Sequence, residues 1–551
     1  MRKKIIYILL FFTPLTSFDF GNSSDANLFI NRLNYINGYP RQGATTYCGY
    51  SRDGLLYVVN NKVADITDSI LNANKTIYIS NYGNDNNIGD STNPIKSIDK
   101  LNTKLFPNST IKFHKGDTFF GGISINADIE AFNINITSYG VGENPVIYGG
   151  YEINLPDIIW DSVQVIINDS SFMTTQDVKE YCIIRTADYI YEKIKVHSYI
   201  DGVLILNEVP KWIIDSGNYY FFINNYEPDL LDYGVYIPNS KNISVNDISF
   251  KKFKNAIYIS NSENISIQNI EADSIYYYGI HSELSDTLNI DSCSFTNIYS
   301  NSINVFESEN ISITNNNIKK SGIYPGFSLF GDVKNIGISV ENCNNSFIYR
   351  NTIDSTGYSS IHSKLSNNNI ISNNSASNYG ITKTGGGGLY TTRCEGSNRI
   401  DSNSSSSQLI PIMNASYPNS TMRGIHIDDY SKNVNCFGNT IIINDNHFGI
   451  TVSNATNINV YANISTGDGV FLRTYYTVVS DDDYNVSIYN NNVNSGTKTP
   501  LLILNAFAIP LTVNNNTYIF DNEYIAKYEG VYKTIIEWQN LGFDTNSLIN
   551  Q

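Results

Sequence analysis

Charge is the first thing that this sequence has little of. Charged residues make up 16% of the 551 residues, where about 25% is usual in soluble domains. The 52 acidic residues outnumber the 36 basic ones, which gives a formal net charge of −16 at pH 7. Because nucleic acids and anionic membranes bind basic faces, this balance argues against both as partners. It also disfavours direct capture of a polyuronate, unless bound Ca²⁺ bridges the two.

Residues that hold metals are also scarce. The six Cys are widely spread and form no CxxC or Cys/His pair, so the spacing of a structural zinc site is missing. We expect most of them to be small buried residues, although some could pair in an exported chain. We expect no cofactor. The DDD run at 481–483 could chelate Ca²⁺, but such a run is more often a solvated loop.

Long apolar runs are missing too. Only the N-terminus has a short one, at residues 5–12, and it follows the basic residues Arg2, Lys3 and Lys4. This pattern predicts a secretory signal over residues 1–20. No later stretch approaches the roughly 20 apolar residues that a membrane span needs. We therefore expect a soluble protein, secreted or held at the cell surface or in a periplasm, without a membrane span and monomeric.

A repeat organises the chain from about residue 234 to about residue 491. Each copy has a short apolar strand, a polar turn and a phrase such as NISVNDISF or NVSIYNNNV. Steps mostly in the low twenties of residues separate the aligned inward residues Val235, Ile257, Ile280, Ile303, Ile338, Ile361, Leu389, Ile425, Ile450 and Val470. Such units predict the rungs of a stacked solenoid, since one rung cannot bury its apolar face alone.

Two features narrow the type of solenoid. Helical spacing and the Leu framework of a leucine-rich repeat are both missing. Asn recurs at the turn after the second strand, where its side chain can bond its stacked counterpart, at Asn269, Asn316, Asn351, Asn374, Asn403, Asn439, Asn463 and Asn491. The sequence therefore predicts an all-β chain, a right-handed parallel β-helix with an N-terminal cap and an inserted β subdomain.

The predicted segments follow from where this repeat holds. After the signal, residues 21–75 form a leader or cap with a hairpin at SRDGLLYVVNNK, and residues 76–150 begin the β-helix with a capping helix at 95–105. Apolar and polar residues still alternate over residues 151–230, but the regular spacing of the rungs is lost. This combination indicates the inserted β subdomain. Residues 231–500 are the β-helix coils, and residues 501–551 close the domain.

The opening and closing phrases carry a family resemblance. They are TIYISNYGNDNNIGDSTNPIKSIDKLN, IKFHKGDTFFGG and TIIEWQNLGFDTNSL. These phrases resemble secreted right-handed parallel β-helix proteins of the pectin-lyase-like superfamily, over about residues 75–548. The resemblance implies an exported, carbohydrate-active, glycoside-hydrolase-like protein. It leaves the reaction open, because hydrolases, lyases and epimerases share this scaffold.

One outward strand face collects the candidate site. Because side chains alternate along a strand, the positions one and three after each inward residue face outward. These positions include His281, Glu283, Glu341, His362, Lys364, Tyr390, His426, Asp428 and Arg473. Such a mixture is typical of a glycan-binding face, although a merely solvated strand face could carry it too.

The segment MRGIHIDDYSKN points to chemistry. It resembles the GIYLDD-type segment of β-helix glycoside hydrolases, which puts Asp428 and Asp429 forward as acid, nucleophile or ligand; one of them could instead cap the turn. The preceding rung resembles the family phrase DGGGIYT, but Gly385 or Gly386 stands where an acidic residue is expected. Since glycoside hydrolysis uses two carboxyl groups, the predicted pair is Asp428 with Glu395 or Asp429.

The remaining candidates would hold the substrate. His426, His362 and Tyr390 would position sugar hydroxyls, with Arg473 or Arg393 beside them. Glu341 is three rungs from Asp428, roughly 14 Å at strand spacing, and would contact another sugar ring.

Three functions compete at this point. The first is an exported glycoside hydrolase that cleaves a polysaccharide through Asp428 and a second carboxylate. The second is a polysaccharide lyase with a base chosen from Lys364, Arg473, His362 and Tyr390. The third is a surface protein that binds glycan without turnover, which the missing family acid supports.

Overall fold

The computed structural model describes most of the solenoid. It covers residues 75–105, 107–125, 131–150, 230–323, 334–381, 385–406, 422–443, 447–476, 485–505 and 510–550, together with short strands between residues 46 and 63 and between residues 158 and 223. The predicted signal, the DDD run and the long loops of the later rungs lie outside these residues. None of the helices within the described ranges is long and apolar enough to cross a membrane.

Three 14-stranded sheets run the length of the solenoid, and the chain passes through them in turn. Sheet I contains Ile123–Ser124, Tyr233–Pro238, Asn255–Ser260, Tyr278–Glu283, Asn301–Phe306, Ile338–Glu341, Ile361–Lys364, Gly387–Thr392, Arg423–Asp428, Phe448–Ser453, Val470–Tyr476, Leu501–Asn505, Ala526–Tyr528 and Val531–Lys533. Apart from the last strand, which is antiparallel to its neighbour, all of its strands are parallel.

Sheet II follows sheet I in each turn. Its strands are Lys75–Ile79, Ser109–His114, Ala131–Tyr139, Ser240–Asn246, Glu263–Gln268, Asp286–Asp291, Glu309–Thr314, Phe347–Tyr349, Ile370–Ser372, Asn398–Asp401, Lys432–Phe437, Thr456–Tyr461, Val486–Tyr489 and Leu511–Asn514.

Sheet III completes each turn. Its strands are Thr118–Phe120, Val146–Tyr148, Ser249–Lys251, Glu271–Ile275, Ser294–Ile298, Asn317–Ser321, Thr352–Thr356, Ser375–Ser377, Ser404–Ser406, Thr440–Ile442, Ile464–Thr466, Asn492–Gly496, Thr517–Phe520 and Leu548–Asn550. The predicted parallel β-helix is thereby confirmed.

Alternation along the strands builds the core. Ile257 and Ile259 are fully buried, while Tyr258 between them faces outward and is half-buried. Ile257 pairs with Ile280 in the next strand, and this register continues along sheet I. Each apolar residue is thus stacked on its equivalent, about 4.8 Å away, and the stacked Ile and Val side chains form one continuous core.

The register corrects one step of the sequence alignment. Ile450 pairs with Leu472, not with Val470, so the inward residue of that rung lies two positions later than predicted. Because both residues are apolar and share the same parity, alternation alone could not separate them. Arg473 consequently follows the inward residue directly and pairs with Thr451.

The Asn residues occupy two adjacent columns rather than one. In the inner column, Asn403 donates from Nδ2 to Asn439 Oδ1 (3.0 Å) and to the Ile371 carbonyl (2.9 Å), and it is buried. The left-handed backbone belongs to the preceding residue, such as Ser402 (φ 56°). Asn269 is in this outer column (φ 50°) and donates to Asp247 Oδ1 rather than to a stacked Asn, so its predicted place in one column with the other seven was wrong.

Small elements close the ends. Helix α1 (Ile98–Asn102) begins at the N-cap Ser97 and buries Ile98 and Leu101; it is shorter than predicted because Ile95 instead bridges to Ile79. Helix α2 (Ile535–Asn540) has a capping box and buries Trp538.

Two further sheets are antiparallel. One joins Thr46–Ser51, Gly54–Val59 and Lys62–Val63, in the leader where a hairpin was predicted. The other has six strands in the region predicted to be inserted: Ile158–Asp161, Gln164–Ile167, Tyr181–Arg185, Tyr191–Ile200, Val203–Leu206 and Tyr220–Ile223. Four Cys of the described residues, Cys293, Cys343, Cys394 and Cys436, are free and buried.

Candidate active site

Two outward columns on sheet I carry the candidate residues. Column A, one position after the inward residue, holds Tyr258, His281, Asn304, Ser339, His362, Tyr390, His426, Thr451 and Arg473. Column B, two positions further on, holds Ser260, Glu283, Phe306, Glu341, Lys364, Thr392, Asp428, Ser453 and Tyr475.

Three rings of column A form a continuous stack. The rings of His362 and Tyr390 are parallel within 5° with centroids 4.3 Å apart, and those of Tyr390 and His426 are parallel within 7° at 4.8 Å. The in-register strands impose this spacing, because equivalent positions lie about 4.8 Å apart. Stacked rings of this kind hold one another rigidly on the strand face.

Asp428 lies beside this stack. Tyr390 Oη donates to Asp428 Oδ2 (2.8 Å), and His426 Nε2 lies 3.5 Å from Oδ1. Burial alone would raise the pKa of Asp428, but the contacts with His426 and the hydrogen bond from Tyr390 outweigh it and hold the pKa at about 2. The carboxyl group is therefore ionised at neutral pH, and 17% of its side chain is accessible.

The neighbours of Asp428 remain uncharged. Burial, and then the negative charge of Asp428, raise the pKa of Tyr390, so this hydroxyl keeps its proton. Burial likewise lowers the pKa of His426 and lowers that of His362 to about 3. The cluster at neutral pH is thus one carboxylate surrounded by a phenol and two neutral imidazoles.

His362 has an unusual environment. It is 2% exposed, and neither ring nitrogen has a hydrogen-bond partner within the described part of the chain. A buried polar group without a partner costs about 1–3 kcal/mol. The two ring nitrogens of His362 therefore lower the stability of the fold.

The turn after Asp428 differs from its neighbours. Thr392 pairs with Asp428, and Cys394 N donates to Ser431 Oγ. Arg393 alone lies between Thr392 and Cys394, whereas both Asp429 and Tyr430 lie between Asp428 and Ser431. The extra residue puts both Asp429 (φ 27°) and Tyr430 (φ 58°) in the left-handed region. Non-Gly residues pay roughly 1–2 kcal/mol for that backbone. The turn at Asp428 is therefore a built-in irregularity.

Asp429 stays close to the cluster. Its backbone N–H donates to the Asp428 carboxylate, and its charge contributes to the raised pKa of Tyr390. Its Oδ1 accepts a long hydrogen bond from Asn454 Nδ2 (3.4 Å). Asp429 therefore contacts the Asp428 carboxylate through its backbone and the neighbouring turn through its side chain.

Glu395 and Arg393 lie on the turn between sheets I and II. Both side chains are exposed, and Glu395 Oε1 is 3.8 Å from Lys432 Nζ. Among the hydrogen bonds of the described residues, Arg393 contacts the turn after Asp428 only through its backbone N–H, which donates to the Asp429 carbonyl (2.8 Å). Neither the Glu395 ion pair nor the Arg393 backbone hydrogen bond involves the Asp428 carboxylate.

Glu341 belongs to a separate pair on the same face. Its Oε1 is 2.8 Å from Lys364 Nζ, and both side chains are about one fifth accessible. The register places it three strands from Asp428, as the sequence predicted.

Two arginines lie near the cluster: Arg423 begins the strand that ends at Asp428, and Arg473 is two strands further along sheet I. The Arg473 guanidinium lies over the rings of Phe448 (5.0 Å) and Tyr475 (5.2 Å), and its Nε has no hydrogen-bond partner within the described ranges. Burial, and then repulsion from Arg473, lower the pKa of Arg423, which still feels the charge of Asp428. Guanidinium groups so placed suit an anionic or hydroxyl-rich ligand.

The glycines upstream explain why the expected second acid is missing. A Cβ on Gly386 would stand 2.4 Å from Ser359 Oγ and 2.7 Å from the ring of Tyr358. Gly385 has open space, but its φ of +96° is a backbone that other residues rarely adopt. An acidic side chain would therefore clash with neighbouring side chains at Gly386 and would strain the backbone at Gly385.

Sequence reasoning missed Arg423 and Tyr358. Tyr358 lies 6.1 Å from Tyr390, ring to ring, and Arg423 is two residues before the inward Ile425. The position of Arg423 forms a further column that also holds Phe448. A search two residues before each inward position would have found it.

Metal ligands are not gathered here. The described ranges contain no group of three or more His, Cys, Asp or Glu side chains that could hold a metal ion. The DDD run at 481–483 lies outside those ranges.

Comparisons with known proteins support the fold. The sequence model of the right-handed β-helix region matches residues 212–331 and 255–408, which confirms the predicted handedness. No curated protein matches the chain.

Solved structures with similar folds include polysaccharide-acting enzymes. A glycoside hydrolase is 10% identical with a TM-score of 0.39, covering 73% of this chain and 96% of its own. The A-module of an Azotobacter vinelandii mannuronan C-5 epimerase is 10% identical at 0.43, covering 77% and 92%. An alginate lyase from Paenibacillus is 13% identical at 0.35, covering 74% and 99%. Such low similarities do not transfer an activity to this chain.

Proposed function

We propose that this chain is an exported glycoside hydrolase that cleaves a polysaccharide on the outer face of sheet I. The observation that carries the proposal is Asp428, an ionised and partly accessible carboxylate that accepts a hydrogen bond from Tyr390 Oη (2.8 Å) on a face of aromatic, polar and charged side chains. A carboxylate with a pKa of about 2 is a poor proton donor, so Asp428 acts in its charged form, as nucleophile or base.

Hydrolysis needs a second carboxyl group as proton donor. Asp429 fits this role better than Glu395, because it directly follows Asp428 and its backbone N–H donates to the Asp428 carboxylate. The Glu395 carboxylate is instead drawn towards Lys432. The roles of Asp428, Asp429 and Glu395 therefore follow from their surroundings and can be separated by mutation.

The test is a polysaccharide panel with two readouts, reducing ends and the ultraviolet absorbance of unsaturated ends. Asp428→Asn should lower the rate of reducing-end release at least about 100-fold. Asp429→Asn should lower it similarly and Glu395→Gln little. Asp354→Asn is the matched control, since Asp354 is a half-buried strand carboxylate that accepts hydrogen bonds on sheet III. Equal activity in wild type and Asp428→Asn would rule the proposal out.

Elimination is the second candidate, and Arg473 favours it. A lyase must neutralise a uronate carboxylate, take a proton beside it and protonate the leaving oxygen. The Arg473 guanidinium could neutralise the carboxylate, Asp428 or His426 could take the proton, and Tyr390 could donate one. Unsaturated ends that disappear in Arg473→Gln would support elimination; reducing ends without unsaturation would exclude it.

A further inference from the structure

A second copy of the Asp428 arrangement exists on the same face. Tyr258 Oη donates to Glu283 Oε1 (2.7 Å), and His281 Nε2 lies 3.7 Å from Glu283 Oε2. The Tyr258 and His281 ring centroids are 4.8 Å apart, as are those of Tyr390 and His426, but the upstream rings are tilted by 54° where the others are parallel within 7°. In both clusters the Tyr is in column A of one strand, while the His and the carboxylate are in columns A and B of the next.

The carboxylate of the upstream cluster is accessible and can accept hydrogen bonds from a ligand. Asn304 Nδ2 donates to His281 Nδ1 (2.9 Å), which leaves the proton of the neutral imidazole on Nε2, facing Glu283. The Glu283 side chain is 33% accessible, twice as open as Asp428. Since a carboxylate has about four lone-pair sites, Glu283 can accept further hydrogen bonds from outside.

A platform of Tyr rings surrounds this cluster. Tyr233 and Tyr236 are stacked with centroids 4.9 Å apart, and Tyr233 lies 4.9 Å from Tyr258. All three are half-buried, so part of each ring faces outward. Tyr278 stacks on His281 from the other side at 4.8 Å. Half-exposed phenol rings beside a hydroxyl-accepting carboxylate suit the apolar and polar faces of a sugar.

The two clusters lie on one continuous line. Five strand steps along column A, from His281 to His426, separate them, which is roughly 24 Å at strand spacing. Apart from Phe306, the column positions between them are polar or charged, including the Glu341–Lys364 ion pair. A single extended polymer lying along the solenoid axis could therefore contact both.

We propose that Tyr258, His281 and Glu283 form a remote sugar-binding subsite that holds the same polysaccharide chain several units away from Asp428. The inference rests on the proposed function, because it assigns the upstream cluster to the polymer cleaved at Asp428. The upstream cluster binds without reacting: it lacks the extra turn residue found after Asp428, since Glu283 and Ser285 are separated by Leu284 alone.

Binding is measured in the Asp428→Asn protein, so that cleavage does not interfere. Affinity gel electrophoresis uses long xylan, galactan, polygalacturonate and alginate as probes. For the polymer that retards Asp428→Asn most, adding Glu283→Gln should weaken binding about tenfold, and adding Tyr258→Phe several-fold. Adding Glu263→Gln should change nothing. Glu263 is the matched control because it is an exposed strand carboxylate on sheet II, in the turn that carries Tyr258.

The length of the substrate provides a second test of the subsite. With otherwise wild-type protein, Glu283→Gln should raise KM for the long polymer about tenfold and leave kcat/KM unchanged on oligosaccharides too short to span roughly 24 Å. Equal affinity with and without Glu283→Gln, or no retardation by any probe, would overturn the proposal. If instead polymer binding depends on Glu283 while Asp428→Asn cleaves normally, the subsite stands and the assignment of Asp428 fails.

Discussion

The hydrogen bond from Tyr390 to Asp428 gives the sharpest test of the site. Tyr390→Phe removes one hydroxyl and leaves the ring stacked between His362 and His426. The hydroxyl donates to the ionised form of Asp428, so its loss must raise the pKa of that carboxyl. The change therefore raises the pKa of Asp428 without opening a cavity.

The expected size follows from the contact. A hydrogen bond to a charged group is worth about 1.5–3 kcal/mol, and one pKa unit corresponds to about 1.4 kcal/mol. The pKa of Asp428 should rise from about 2 by roughly one to two units in Tyr390→Phe. If Asp428 acts in its ionised form, the acidic limb of the kcat/KM profile should move to higher pH by the same amount.

Stability supplies a readout that does not depend on activity. The folded-state pKa of Asp428 is depressed below its ordinary value of 3.8, so its contribution is present above about pH 4 and is lost as pH falls towards 2. That contribution is about 2 kcal/mol in wild type and should be smaller in Tyr390→Phe. Urea midpoints between pH 5 and pH 2 measure the difference.

The control is Tyr461→Phe, because Tyr461 is stacked in the same way on sheet II, 5.0 Å from Tyr489. This variant should follow the wild-type curves in both assays. An unchanged acidic limb together with an unchanged pH dependence of stability in Tyr390→Phe would refute the assigned hydrogen bond and its electrostatic role.

Three further outcomes can be measured by unfolding. Asn403→Ala breaks buried hydrogen bonds of the inner Asn column and should cost about 3 kcal/mol, whereas Asn457→Ala, in an exposed pair, should cost under about 0.5. His362→Phe should stabilise the protein by about 1–2 kcal/mol at pH 7, since it removes an unpaired buried imidazole; it should also flatten the loss of stability that wild type shows as pH falls from 6.5 towards 3. Asp544→Ala removes the buried acceptor of Trp538 Nε1 (2.8 Å) and should destabilise the C-terminal end by about 2–4 kcal/mol. Unchanged midpoints in Asn403→Ala, His362→Phe or Asp544→Ala would contradict the expectation for that variant.

The fold could be predicted from sequence because the signal repeats. Each rung repeats the same alternation of inward apolar and outward polar residues, so an error in one rung does not change the predicted architecture. The errors that did occur have a common physical cause. Val470 and Leu472 have the same parity, and Asn269 is one residue from the ladder position in a run of polar residues, so neither pattern fixes the register. Only the pairing with the preceding strand decides it.

The candidate site could be predicted only in part. Alternation alone indicates that Tyr390, His426 and Asp428 face outward. It does not reveal that the Tyr390 hydroxyl reaches across to column B of the next strand, because this depends on side-chain length and rotamer. The exclusion of an acid at Gly386 by the Tyr358 ring is likewise a contact between distant parts of the chain. Such facts come from packing, not from spacing.

Comparison of the two Tyr–His–carboxylate clusters separates what the scaffold provides from what the site adds. Because both arise at equivalent positions of in-register strands, the contact from Tyr to carboxylate requires only the β-helix ladder and suitable side chains. Around Asp428 three features are added: the strained turn at Asp429, the neighbouring guanidiniums and the unpaired nitrogens of His362. The strained turn and the unpaired imidazole lower stability, and none of the three features is needed to hold a carboxylate on a strand. Their accumulation at one cluster is the physical reason for placing cleavage at Asp428 and binding alone at Glu283.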